Sequence, residues 1–178
     1  MPEAPFASNT SFEWSQPEAF RRAHLLTANG LNVGSLNFEK GSGSLATAAC
    51  AGDAWSFKRV GFLSPRVSIR KAGSDSDLAV FTPTWSSGGT VEFAGGRRFG
   101  LRCLSFWGCD WAFEDEQGQP VVTLHGPKGF LKSGGESRVT DVGAGLQETP
   151  LLLMLLWYVR LLANEDMAAT TAVMACCG

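Results

Sequence analysis

The side chains able to do chemistry are few and widely spaced. His24 sits beside Arg21 and Arg22, and His125 ends an apolar run just before Gly126 and Pro127. Cys109 could be paired with His125, since a nucleophile needs a base within hydrogen-bond reach. No Gly-x-Ser-x-Gly elbow, His-Glu-x-x-His pair or phosphate loop accompanies them. The expectation is therefore no catalytic residue and no cofactor, with His125 in the commoner role of a satisfied strand-end histidine. Two histidines also leave little room for a His-built metal site. Asp75 and Asp77 lie in one turn and Glu114, Asp115 and Glu116 at a hairpin tip. Calcium takes about six to eight oxygens, so both read as solvated turns, and no metal is expected.

The five cysteines, Cys50, Cys103, Cys109, Cys176 and Cys177, are odd in number and form no Cys-x-x-Cys pair. Zinc and thioredoxin-like readings thus lack support. Free thiols in a reducing cytosol are expected, with Cys103 a small core residue. The first residues show neither the basic nor the apolar region of a signal peptide. Cys176-Cys177-Gly178 is no Cys-a-a-X box and reads as an apolar tail.

Charge carries more information. The 178 residues hold 15 basic and 17 acidic side chains, a net charge of -2, which argues against a dedicated nucleic-acid binder. Its distribution is uneven. Residues 54–110 contain eight basic and four acidic side chains, whereas both flanking segments are net acidic. Arg66 and Arg70 share one face of a strand pattern, as do Arg98 and Arg102, with Arg97 beside the Gly95-Gly96 turn. If these five converge, they form a site for phosphate or another anion, because the guanidinium fork binds phosphate at two points. Cross-strand ion pairs on a solvated wall are the more ordinary use of such residues.

Those residues need a scaffold. The 44% hydrophobic content is ample for a core and excludes wholesale disorder. Gly and Pro punctuate the chain at short intervals, as in antiparallel β proteins. Strands are expected over residues 31–39, 45–50, 55–63, 67–71, 78–82, 90–94, 98–106, 110–114 and 120–125, with a weaker one over 138–142. Most of the aromatics, among them Trp55, Phe57, Trp111, Phe113 and Trp157, fall in or beside these elements and are assigned to the core; Trp85 and Trp107 lie next to turns.

Residues 151–163 break the pattern: thirteen positions rich in Leu, uninterrupted by Gly or Pro. Thr149 and Pro150 provide a cap and a helix start. The resulting helix is apolar around its whole circumference, so it must be enclosed. A membrane span needs about 20 apolar residues, and Arg160 interrupts this run. A mainly β fold follows, a closed antiparallel barrel wrapped around a buried C-terminal helix.

This arrangement resembles the tubby C-terminal-like superfamily, which includes LURP-one-related proteins and phospholipid scramblases. The likeness rests on Trp55-Ser56-Phe57-Lys58-Arg59-Val60-Gly61-Phe62 leading into Pro65-Arg66-Val67-Ser68-Ile69-Arg70, on Phe106-Trp107-Gly108-Cys109-Asp110-Trp111-Ala112-Phe113 leading into Asp115-Glu116-Gln117-Gly118, and on the helix from Pro150. The resemblance implies a barrel over residues 25–165 with its central helix at 150–164, an irregular, partly disordered segment at 1–24 and a tail at 166–178. It further implies a non-enzymatic binding or membrane-associated module. The module would be cytoplasmic, peripheral to the membrane, and would meet anionic phospholipid through Arg66, Arg70, Arg97, Arg98 and Arg102. The alternative is an enzyme with a barrel-mouth site near His125. The chain shows neither the lysine-rich phosphoinositide contacts of tubby domains nor the acidic calcium segment of scramblases.

Overall fold

The computed structural model describes residues 6–18, 21–39, 43–84, 88–105, 110–126 and 134–176. Among these residues twelve strands form one closed antiparallel barrel: β1 (Ser11–Ser15), β2 (Ala23–Ala28), β3 (Leu31–Phe38), β4 (Ala46–Cys50), β5 (Asp53–Val60), β6 (Arg66–Lys71), β7 (Ala79–Thr84), β8 (Gly88–Phe93), β9 (Arg98–Cys103), β10 (Asp110–Glu114), β11 (Pro120–His125) and β12 (Gly134–Val139). Each strand pairs with its neighbours in sequence, and β1 pairs with β12 to close the ring. Closure leaves no free sheet edge. Among the described residues one helix, α1 (Thr149–Cys176), begins inside it.

Strand periodicity explains the core. In β4, Ala46, Ala48 and Cys50 point inward and the residues between them outward; in β9, Phe99 and Leu101 point inward between exposed Arg98 and Arg102. Residues 151–158 of α1 are at most 2% exposed, which accounts for a helix without a polar stripe. Small residues line the wall where the helix comes close: a Cβ on Gly34 of β3 would lie 2.5 Å from Met154 Cε. Phe81, Phe99 and Phe113 fill the core on β7, β9 and β10.

An up-and-down order sends alternate connections to opposite ends. The turns β2–β3, β4–β5, β6–β7, β8–β9 and β10–β11 lie at the base, where α1 starts. The connections β1–β2, β3–β4, β5–β6, β7–β8, β9–β10 and β11–β12 lie at the opposite end, the rim, where α1 leaves.

Several expectations need correction. Residues 1–24 are not merely irregular: β1 and the start of β2 lie there, and Phe12 and Trp14 belong to the core. For β1, the strands β12 and β2 on either side supply its hydrogen bonds. The helix runs through most of the expected tail, to Cys176. Ala and Met favour helix there, and no Gly or Pro intervenes. Thr149 does not cap α1; its hydroxyl donates to the Gly143 carbonyl at 2.6 Å, while the Glu148 carbonyl accepts the first helical bond from Leu152. Finally, β5 stops at Val60, because Gly61 adopts a left-handed φ of 87°. Phe62 and Leu63 consequently leave the strand. No helix among the described residues is long and apolar enough to cross a membrane.

Candidate functional site

The five arginines do not come together. Arg66, Arg70, Arg98 and Arg102 all face outward, as their alternation with Val67, Ile69, Phe99 and Leu101 requires. However, β6 and β9 are separated by β7 and β8, about 14 Å at the usual strand spacing. Arg97 sits at the base, where its guanidinium meets Glu148 at 2.8 Å.

Most of this positive charge is answered within the chain. Arg70 Nε donates to Asp77 at 2.8 Å, Arg98 to Glu92 at 3.0 Å and Arg102 to Glu114 at 3.1 Å. The Ser68 hydroxyl also donates to Asp77, at 2.6 Å. That hydrogen bond, followed by the one from Arg70, holds the Asp77 carboxyl below its usual range. Asp77 is thus committed to Ser68 and Arg70. Asp115 is committed to its own turn, accepting the backbone N–H of Gln117 and Gln119 at 3.0 and 2.8 Å. Among the described residues no three His, Cys, Asp or Glu side chains are grouped to hold a metal.

Arg66 differs. Together with Lys58 it has no ion-pair partner among the described residues, and both are exposed. Register brings them together: Lys58 pairs with Ser68 and Val60 with Arg66, so Lys58 is the diagonal neighbour of Arg66 and Arg70 on the outer face of β5 and β6. No acidic residue occurs between Asp53 and Asp75. Beyond Arg66 the hairpin ends in Phe62 and Leu63, 98% and 91% exposed.

The outgoing helix is tied down beside this hairpin. Arg59 Nη1 contacts both carboxylate oxygens of Asp166, at 2.8 and 3.0 Å. Arg22 pairs with Glu165, donates to the Gly43 carbonyl at 2.7 Å and lies 3.8 Å over the Phe38 ring. Between helix and wall opens a cleft of about 200 Å³ lined by Val67, Phe81, Trp111 and Leu162 together with Arg59, Arg66 and Asp166.

Below the rim, polar groups are buried. His24 is 4% exposed; burial, then the cations of Arg22 and Arg160, push its pKa down to about 4. Its ring stands edge-on to Trp157 at 5.7 Å. The Tyr158 hydroxyl donates to the Ser44 carbonyl at 2.6 Å, and burial pushes its pKa up to about 12. These groups are neutral near pH 7 and act as structure.

His125 belongs to the outer wall. Its Nδ1 lies 2.9 Å from Asp110 Oδ1, its cross-strand partner, and its side chain is 59% exposed. Such a pair orients an imidazole, but this one faces outward at the rim end of β10 and β11, and neither residue lines the cleft. Cys109, Trp85 and Trp107 lie outside the described residues. Cys50 is buried and free, its pKa pushed up to about 12 by burial, and the free Cys103 is half-buried.

In the sequence pattern Phe62 and Leu63 continue a strand, and Lys58 is one of many basic residues. The signal available was the bracketing of the pair by Gly61 and Pro65, two residues that end strands.

No protein-family model matches the chain, and no curated protein matches it in sequence. Among solved structures, the chain is similar to the X-ray structure of the Arabidopsis thaliana protein AT5G01750. The TM-score is 0.57 at 13% identity, covering 92% of this chain and 94% of that one. At that identity the likeness concerns the fold alone, and it extends over almost the whole of both chains.

Proposed function

We propose that the protein is a non-enzymatic module of the tubby-like kind, docking on anionic phospholipid headgroups from the cytoplasmic side. One observation carries this reading: Lys58 and Arg66 adjoin on the outer face of the β5–β6 hairpin, without an ion-pair partner among the described residues. Each basic side chain near an anionic surface contributes ~1 kcal/mol. Arg70, Arg98 and Arg102 are secondary, because each must first give up a carboxylate. Co-sedimentation with vesicles of phosphatidylcholine, with and without phosphatidylserine, tests the reading. Binding should require phosphatidylserine and weaken as salt is raised. Indifference of the wild type to phosphatidylserine at low salt would remove it.

A further inference from the structure

We infer that the tip of the β5–β6 hairpin is a membrane-insertion loop, placing Phe62 and Leu63 below the headgroups of an anionic bilayer. The inference rests on the headgroup reading above and adds an apolar anchor to it. Phe62 is 98% and Leu63 91% exposed, and they are consecutive. Single exposed apolar residues are ordinary, but two large neighbours at the apex of a projecting turn are a recognition feature.

The turn is built to hold them out. Gly61 has φ 87°, and a Cβ there would approach the Ser64 carbonyl oxygen to 2.7 Å. Pro65 fixes its own φ as the chain enters β6. The five-residue connection is therefore closed on itself.

Charge identifies the partner. Cations flank the tip on both strands, Lys58 and Arg59 before it and Arg66 after it; of the carboxylates beside them, Asp166 is engaged by Arg59 and Asp77 by Ser68 and Arg70. An apolar apex over a basic collar matches hydrocarbon below a layer of anionic headgroups. A protein partner fits less well, since a stable interface covers about 800 Å² per partner and a convex two-residue knob offers a fraction of that. Leu104, 49% exposed, begins the β9–β10 connection at the same end of the barrel. Insertion at the rim would turn the outgoing end of α1 toward the bilayer.

The test compares the wild-type 178-residue chain with Phe62→Ser/Leu63→Ser on phosphatidylserine-containing vesicles. The double variant should bind about tenfold to a hundredfold more weakly with an unchanged Tm. In the wild type, acyl-chain spin-labelled lipid should broaden the 13C-methyl signals of Leu63 beyond those of buried leucines. Binding equal to wild type in the variant would overturn insertion and leave the headgroup reading standing. No binding by the wild type would overturn both. Concentration-dependent dimerisation that the double variant loses, without vesicle binding, would assign the tip to a second copy of the chain and overturn the membrane assignment.

Discussion

Trp14 of β1 lies flat against Trp157 of the central helix, the ring centroids 4.9 Å apart and the planes within 3° of parallel. The contact joins the first strand to the last element of the fold, and the Trp14 indole N–H donates to Ser137 of β12 at 3.0 Å. β1 is thus the closing stave of the barrel. Trp14→Ala should cost about 3–5 kcal/mol, the range for emptying a large aromatic site, read by urea denaturation. A chain starting at residue 25 should fail to give a cooperative transition, because β12 then loses one of its two partners and the barrel opens. A small effect of Trp14→Ala would mean that β1 is dispensable.

The buried imidazole of His24 makes stability depend on pH. Its pKa is about 4 in the folded protein, against 6.5 when unperturbed. Between those values the unfolded chain takes up a proton that the folded chain refuses, so acid favours unfolding. The contribution is complete above pH 6.5 and is lost as pH falls toward 4, by on the order of 3 kcal/mol. In His24→Leu this part of the acid limb should flatten. Parallel pH profiles in the two proteins would show that other groups govern the acid sensitivity.

The barrel was legible in sequence because its signals are local. Period-two alternation and Gly-rich turns marked nine of the strands, whereas the strand expected over 138–142 runs instead over Gly134–Val139, and an all-round apolar helix required enclosure. β1 was not legible: only three residues of Ser11-Phe12-Glu13-Trp14-Ser15 pair with the neighbouring β2, and the pairing of all five is with β12, far away in sequence. The outward direction of Arg66, Arg70, Arg98 and Arg102 was legible from their alternating neighbours. Their lack of convergence was not, because it depends on β7 and β8 lying between them. Nor was the pairing of Arg97 with Glu148, which joins residues far apart in the chain.

The two parts of α1 should respond oppositely to change. Leu155 is fully enclosed, so Leu155→Asp buries a charge without a partner and should abolish soluble folding. Residues 167–172, by contrast, are exposed. Ending the chain after Asp166 keeps the Arg22 and Arg59 ion pairs. That truncation should change the unfolding free energy by less than about 0.5 kcal/mol. A large loss on truncation would mean that the outgoing helix packs on the barrel.

The ion-pair pattern ranks the basic residues by their availability to an anion. Lys58→Gln/Arg66→Gln removes two cations without an ion-pair partner among the described residues. It should weaken binding to phosphatidylserine vesicles about tenfold or more, at ~1 kcal/mol per charge. Arg98→Gln/Arg102→Gln removes the same formal charge, but Glu92 and Glu114 already neutralise it. Freeing those carboxylates makes the outer wall more acidic, so a modest loss is expected, smaller than that of the first pair. Both double variants should fold normally, because exposed ion pairs contribute only about 0–1 kcal/mol each. Equal losses would mean that binding senses total charge rather than the β5–β6 hairpin. A larger loss from the Arg98 and Arg102 pair would move the contact surface to β9.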